Sequence, residues 1–468
     1  MQIFGIYKHP PMRNETNSPR NILKFFLIAL FVAPLLLALT SCDHEYPATK
    51  GKVVIKYWEK WTGFEADAMR AVVNDFNASQ DRIFVDFTSV SQIDRKLMLA
   101  TAGGVPPDVA GIWPLQIPTF AENNALIPLD KMAADAGIHR ESYIDAVWRL
   151  CSHRGHLWAL PSTPSCVTLV WNKKLFREAG LDPDKPPRSI AELEQFNDKI
   201  TKYRPDGRLD KVGFLPEEPG WWNSMWGFWF GGDVWDGKNK ITANSPENIA
   251  TYQWIESYPK RFGADNLLAM RDGFGNFASP QNPFLSGRVA MELQGVWIYK
   301  YIKTYAADGF EWGVAPFPSA DPDKLKDVTI VETDVMVIPA GAKHPKEAFE
   351  FLKYVNSQKP MEKLCTGQWK FSPLLDCSPE FLSNHPNPHI KDYIDLAKSP
   401  NAKIGMRMAT AVEYTSDMKN AVGKIWSGKE SAVDALNEVE VRQQATFDRR
   451  LVRWNRLSDK LIAEWSKQ

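Results

Sequence analysis

Apolar and polar positions alternate over Lys52–Trp58 (KVVIKYW), after which Met69, Val72, Val73 and Phe76 recur at helical intervals and Ile83–Phe87 (IFVDF) alternates again. A period of two marks a half-buried strand and a period near 3.6 an amphipathic helix, so this stretch predicts β-α-β. A second helix is predicted over Ile93–Ala102, ended by Gly103 and Gly104, and a third strand over Asp108–Trp113 (DVAGIW). Strands alternating with helices predict an α/β sheet domain.

Further along, helices are predicted over Ile190–Tyr203, Ser245–Phe262 and His344–Asn356, with a long set from Ala409 to the end and a short buried strand at Val335–Ile338. Residues 219–235 read PGWWNSMWGFWFGGDVW, with five tryptophans. Trp222, Trp226 and Trp229 fall at i, i+4 and i+7, which predicts one face of a helix packed in the core. Trp221 lies off that stripe at the predicted helix start, and Gly231 and Gly232 are placed to end the helix.

The N-terminus carries a different pattern. Arg13, Arg20 and Lys24 precede an apolar run, Phe25–Leu39, broken by Pro34. That run is shorter than the roughly 20 residues of a membrane span and has the layout of an export signal.

Composition adds exclusions more than assignments. A chain of 468 residues, 44% hydrophobic and 24% charged, has room for two or three ordinary globular domains. Its 56 basic and 56 acidic residues cancel, so no net charge draws it to nucleic acid or to an anionic membrane. Export would place Cys151, Cys166, Cys365 and Cys377 where oxidation is possible, and four cysteines allow three pairings. Cys365 with Cys377 would close a short loop and Cys151 with Cys166 a hairpin-sized one; buried thiols are the alternative. Cys151, His153 and His156 invite a metal reading, but a strand there would point the first two to one face and His156 to the other.

Several ordered phrases resemble a known family. They are GHLWALP at 155–161, LVWNKKLF at 169–176 with Ala179-Gly180-Leu181, FLSGRVAM at 284–291, Gly295-Val296-Trp297, WGVAPFP at 312–318 and PAGAKHPKEA at 339–348. Together they resemble the sugar-binding group of extracellular solute-binding proteins that serve bacterial ABC importers, over nearly the whole mature chain. Leu39-Thr40-Ser41-Cys42 likewise resembles the bacterial lipoprotein signal, in which the cysteine becomes the lipidated first residue.

The resemblance implies an α/β, two-lobed, periplasmic-binding-protein-like clamshell with hinge crossovers and extra C-terminal helices. It implies a signal peptide over 1–41, a tether over 42–50, one lobe from 51–163 plus 328–372, and another from 164–327 plus 373–468. It further implies a monomeric receptor rather than an enzyme, held to the membrane by lipid on Cys42 on the periplasmic or cell-surface side. Such a receptor passes a carbohydrate or polyol from the cleft to permease subunits, with no cofactor and no metal. A carbohydrate-active hydrolase and a surface glycan-binding lipoprotein are the alternatives; neither G-x-S-x-G nor H-E-x-x-H occurs in the chain.

Sugars present C–H patches and hydroxyl rims, so a receptor needs aromatic faces and fixed polar partners. Trp113 follows the C-terminal end of a predicted strand, the edge at which open α/β sheets place ligands. By resemblance it is a ligand contact with Gln116 beside it, and so are Trp221, Trp222 and Trp297 from the second lobe. Trp58 and Trp61, flanking Glu59, occupy another family contact point. Two indoles each losing roughly 100 Å² of ring face at about 25 cal/mol/Å² supply on the order of 5 kcal/mol, against an association cost of about 4–15 kcal/mol. Polar groups must therefore contribute, and Glu59, Asn223, Glu292, Glu332, Asp334 and Arg407 are the candidates. At Glu332-Thr333 the family often has a glycine pair, so two side chains here project where backbone usually approaches.

Overall fold

The alternation after Lys52 becomes strand β1 (Val53–Glu59), which buries Ile55, Tyr57 and Glu59 on one side. The helix that follows, Gly63–Ser79, buries Met69, Val72, Val73 and Phe76 as its spacing requires. Strand β2 (Ile83–Ser89) pairs in parallel with β1, and after the helix Ile93–Ala102 so does β3 (Val109–Ile112). This computed structural model describes residues 49–465. The export signal, Cys42 and most of the tether lie outside the described residues.

After β3 the chain forms a small hairpin, β4 (Ser152–His153) with β5 (His156–Leu157), and then β6 (Ala159–Asn172), a 14-residue strand buried throughout. The remaining strands are β7 (Lys202–Tyr203), β8 (Leu209–Phe214), β9 (Val289–Gly295), β10 (Trp312–Ala315), β11 (Thr329–Val337) and β12 (Ala402–Ile404). They build one curled, mixed sheet in the order β2-β1-β3-β11-β6-β9-β8-β7, with β10 on β6 and β12 on β11. The buried strand expected at Val335–Ile338 is the end of β11, which runs antiparallel between β3 and β6.

Two large hydrophobic cores share this sheet. Ile55, Leu97, Ile112, Trp158 and Leu160 belong to the first; Leu169, Phe214, Trp226, Trp229 and Ile425 belong to the second. Both long strands pass from one core to the other: β6 between Cys166 and Val167, β11 between Ile330 and Val331. Val331 and Cys166 are partners in the sheet, so the two crossings lie side by side. Residues 373–402, grouped above with the C-terminal part, send Leu374, Phe381, Ile390 and Leu396 into the first core. There Tyr393 accepts from Cys166 Sγ through its carbonyl and hydrogen-bonds Thr168 through its hydroxyl.

The helices at 190–200, 246–262 and 345–355 fall within a few residues of expectation, and the C-terminal set resolves into Ala411–Trp426 and Ala432–Trp465. No helix among the described residues is long and apolar enough to cross a membrane. The tryptophan-rich segment differs. Trp222, Trp226 and Trp229 are buried as predicted, but the segment is only a five-residue 3-10 turn, Trp226–Phe230, ended by Gly231 in the left-handed region. The Asn248 side chain occupies the space a Cβ would need at both Gly227 and Gly232. It bonds the carbonyls of Asp233 and Thr242, so glycine-permitted contact with the 246–262 helix replaces continued helix.

All four cysteines after Cys42 are free thiols, with Cys151, Cys166 and Cys365 buried. Neither loop closure weighed above is formed. His153 pairs with Glu122 at 3.0 Å and His156 with Asp130 at 3.2 Å, so the histidines turn to different carboxylates. Among the described residues no group of His, Cys, Asp and Glu is arranged to hold a metal ion.

Candidate functional site

The crossings of β6 and β11 form the floor of a cavity of about 540 Å³. Thr163 and Ser165 come from β6, and Glu332, Thr333 and Asp334 from β11, where the register with β6 shifts between Thr333 and Val335. That irregularity interrupts the alternation of faces. It accompanies three consecutive side chains of one strand lining one cavity.

The walls come from several segments: Trp222 belongs to the second core, Trp297 packs against both cores, and Phe277 and Tyr301 pack against a smaller cluster around Phe284 and Ile298. Trp61 follows β1, Phe64 and Glu65 begin the 63–79 helix, and Trp113 follows β3. Facing them are Trp221, Trp222, Phe277, Trp297 and Tyr301. Trp61 and Trp113 meet edge to face, 4.9 Å between centroids. Trp221 lies 4.9 Å from Phe277 and 6.0 Å from Trp297, and Trp222 stacks on Trp297 at 6.4 Å. Trp113 is 42% and Trp221 47% exposed, unusual for indoles in so apolar a setting, and both line the cavity.

Beneath the indoles runs a buried ion network. Asp334 pairs with Lys60 at 2.9 Å and with Lys370 at 3.0 Å; Lys370 also pairs with Glu65 at 2.8 Å. The Thr163 hydroxyl bridges Asp334 and Gln368, and Gln368 in turn donates to the Glu65 carbonyl. Burial alone would raise the Asp334 carboxyl, but Lys370 and Lys60 outweigh it and hold the group at about 2. Burial works against the Lys370 ammonium too, and Asp334 with Glu65 keeps its affinity for the proton above the usual lysine range. Glu332 behaves oppositely: enclosure and the neighbouring Asp334 charge push it up to about 7, against smaller contributions from the Trp222 N–H and Lys370. The Trp61 indole N–H is buried with no protein acceptor.

A second compartment of about 240 Å³ shares Trp113, Trp221 and Glu332 with the first and adds Leu115, Met225, Arg407 and Tyr414 among its walls. Arg407 donates to the carbonyls of Pro114 at 2.6 Å and Ser152 at 2.7 Å, and burial lowers its affinity for the proton to about 10.

Of the sequence-derived candidates, Trp61, Trp113, Trp221, Trp222, Trp297, Glu332 and Asp334 therefore converge on one cavity, and Arg407 lines its neighbour. Five do not reach either. Trp58 sits on β1 one residue out of phase with Tyr57 and Glu59, and so points away from them. Glu59 is buried behind the wall, accepting from the Tyr57 hydroxyl at 2.5 Å and the Lys60 N–H at 2.7 Å. Gln116 lies in the 3-10 turn beyond Trp113, outside both linings. Asn223 is buried as the donor to the Glu217 carboxylate, and Glu292 is buried on β9 beside Gln294. Lys370, Glu65, Thr163, Phe277 and Tyr301 escaped sequence reasoning, since each is brought in by a separate element with no motif to mark it.

The chain belongs to the bacterial extracellular solute-binding proteins, whose family model matches residues 65–362. It is similar to the maltotriose-binding protein of Pyrococcus abyssi, 24% identical over 82% of this chain and 77% of that relative. It is also similar to the sn-glycerol-3-phosphate-binding periplasmic protein UgpB of Pectobacterium atrosepticum, 22% identical over 84% and 91%. Among solved structures, CpMnBP1 with mannobiose bound matches at a TM-score of 0.73, with 25% identity over 83% of this chain and 99% of that one. The sugar-binding protein MalE of Xanthomonas citri matches at 0.73 with 20% identity, over 86% and 99%. The expected two-lobed α/β solute-binding fold is thus the fold of this chain, and these relatives are binding proteins.

Proposed function

We propose that this protein captures a carbohydrate, or a related polyol, in the indole-walled cavity and delivers it to the permease of an ABC importer. The observation that carries this reading is the convergence of Trp61, Trp113, Trp221 and Trp297 over a polar floor, with Trp113 and Trp221 each nearly half exposed. Flat apolar faces suit the C–H patches of a sugar, and Ser165, Thr333 and Glu332 suit its hydroxyls. Each core carries one lobe, and the paired crossings at Cys166/Val167 and Ile330/Val331 are the hinge. Ligand that touches both walls favours the closed form by its extra affinity for that form, and the permease recognises closure. The receptor works as a monomer, tethered by lipid on Cys42, each buried methylene contributing about 0.8 kcal/mol to anchoring.

Thermal unfolding of the mature protein against a panel of neutral mono- and oligosaccharides tests the reading. A sugar at about 100 times its Kd stabilises the folded state by roughly 2.7 kcal/mol, a readable shift that Trp221→Ala should remove. No shift with any carbohydrate, alongside a shift with an amino acid or peptide, would refute it.

A further inference from the structure

The charges around the cavity are unevenly matched. Before Glu332 is counted, two lysines serve three carboxylates. Lys60 holds Asp334 at 2.9 Å and Glu59 at 3.5 Å, while Lys370 holds Glu65 at 2.8 Å and Asp334 at 3.0 Å. Both ammoniums also rest on indole faces, Lys60 4.7 Å from the Trp113 centroid and Lys370 4.9 Å from that of Trp61. Their charge is neutralised inside the wall. Lys300 lies over the rings of Phe64 and Trp369 and is not part of the lining.

Glu332 stands apart from this network. Among the described residues no cation lies within ion-pairing distance of its carboxyl, whose Coulomb neighbours are Asp334 and Lys370 and whose hydrogen-bond partner is the Trp222 N–H. Its β6 neighbour is Ser165, which is uncharged. Glu332 is also one of three residues shared by the two compartments, so its carboxyl meets a ligand at their junction. Arg407, the nearest unpaired guanidinium in the lining, is turned to the carbonyls of Pro114 and Ser152 in the smaller compartment.

We propose that Glu332 selects ligands by charge: the cavity accepts carbohydrate that is neutral or amino-bearing at the junction and rejects phosphorylated or carboxylated sugars. This rests on the carbohydrate reading above and narrows it. Like charges brought together in an enclosed site are strongly unfavourable, whereas a hydroxyl or ammonium donates to a carboxylate. The raised affinity of Glu332 for its proton gives the selection a pH dependence. An ammonium on the ligand favours the ionised carboxylate, so its affinity climbs by up to about tenfold per pH unit as the pH rises towards 7, and falls again where the amine of the ligand loses its own proton. An anion favours the protonated form, so rejection relaxes as the pH falls through 7.

The test is calorimetric titration of the wild type and Glu332→Gln between pH 5.5 and 8.5. The probes are mannobiose, the glucosamine disaccharide, digalacturonic acid and sn-glycerol 3-phosphate, with indole fluorescence of the free protein followed over the same range. The expected wild-type preference for the neutral over the anionic disaccharide is about 30-fold at pH 8, shrinking towards pH 5.5 and falling to about 3-fold in Glu332→Gln. Fluorescence should show a transition near pH 7 that the substitution abolishes. Equal neutral-to-anionic ratios in the two proteins overturn the proposal, as does tighter binding of either anion than of mannobiose by the wild type. If no sugar of any charge binds, the carbohydrate reading fails. In that case a missing fluorescence transition separately removes Glu332 as an isolated ionising group.

Discussion

The two walls of the cavity are held in place by different forces. On the first-core side, Trp61 and Trp113 are fixed by the ammoniums on their faces, and those ammoniums are fixed by Asp334, Glu65 and Glu59. On the other side, Trp221, Trp222, Phe277 and Trp297 meet ring to ring, and among the described residues no ammonium or guanidinium lies over their faces. A wall locked by buried charges is set before any ligand arrives. Each wall leaves one indole, Trp113 or Trp221, nearly half exposed until something covers it, but only Trp113 is held by an ammonium on its face. Damage to the charges of the first wall should therefore appear in the stability of the free protein, and loss of Trp221 from the second in binding.

The largest effect should follow from breaking the ion network. Lys370→Met leaves Asp334 and Glu65 buried with Lys60 as the remaining cation, and removing one partner of a buried pair typically costs about 3–5 kcal/mol. Urea unfolding at pH 7 measures it. The same network sets an acid limit. The folded state holds Asp334 at about 2, below the ordinary carboxylate value, so its contribution is complete above roughly pH 4 and is lost as the pH falls towards 2. Lys370→Met should flatten that loss, since much of what depresses the carboxyl is gone.

Next comes the support of the second wall. A Cβ at Gly295 would overlap the six-membered ring of Trp297, which packs against both cores. Gly295→Ala should cost about 1–3 kcal/mol by overpacking and displace the indole from the cavity. Trp297→Ala should cost about 3 kcal/mol or more in the free protein. Trp297 and Trp221 carry the same ligand-facing role by resemblance, yet the structure separates them: one is a shared core residue, the other is not. Paired melts of the two alanine variants without ligand distinguish them.

The first α/β units were legible because their periodicity is local: Met69, Val72, Val73 and Phe76 state one helix face by themselves. Among the ordered family phrases only Gly295-Val296-Trp297 contains a cavity indole; Trp61 and Trp113 were located because they follow predicted strands, and Trp221 because it lies off the tryptophan stripe. The ion network was hidden. Lys370 meets Asp334 only because β11 and the chain after the 358–368 helix converge, and no spacing within the sequence encodes that distance. The tryptophan segment failed in an instructive way. Burial at i, i+4 and i+7 was right, but helix requires backbone continuity that Gly227 and Gly232 surrender to the Asn248 side chain and that Gly231 ends in the left-handed region.

For Trp221→Ala the free protein should lose less than about 1 kcal/mol, the ordinary range for an exposed position, while ligand affinity drops. Covering roughly 100 Å² of ring face is worth about 2.5 kcal/mol, or roughly 60-fold in Kd. Titration calorimetry with the best sugar from the thermal screen measures this. An unchanged affinity would mean that the second wall is scenery and that the first wall binds alone.

The smallest effect expected is at Trp58, one residue from the locked wall and in its family contact point by resemblance. Its place on β1 directs it to the face opposite Tyr57 and Glu59, and it lines neither compartment. Trp58→Leu should shift the melt modestly, by the packing lost on that outer face, and leave the Kd within about twofold, since a side chain that touches no ligand can act only through the backbone of β1. A larger loss of affinity would show that ligand closes the lobes far enough to bring Trp58 into contact. The open-to-closed movement would then have to rearrange the first wall as well as the second, and the contrast between a fixed wall and an adaptable one would fall.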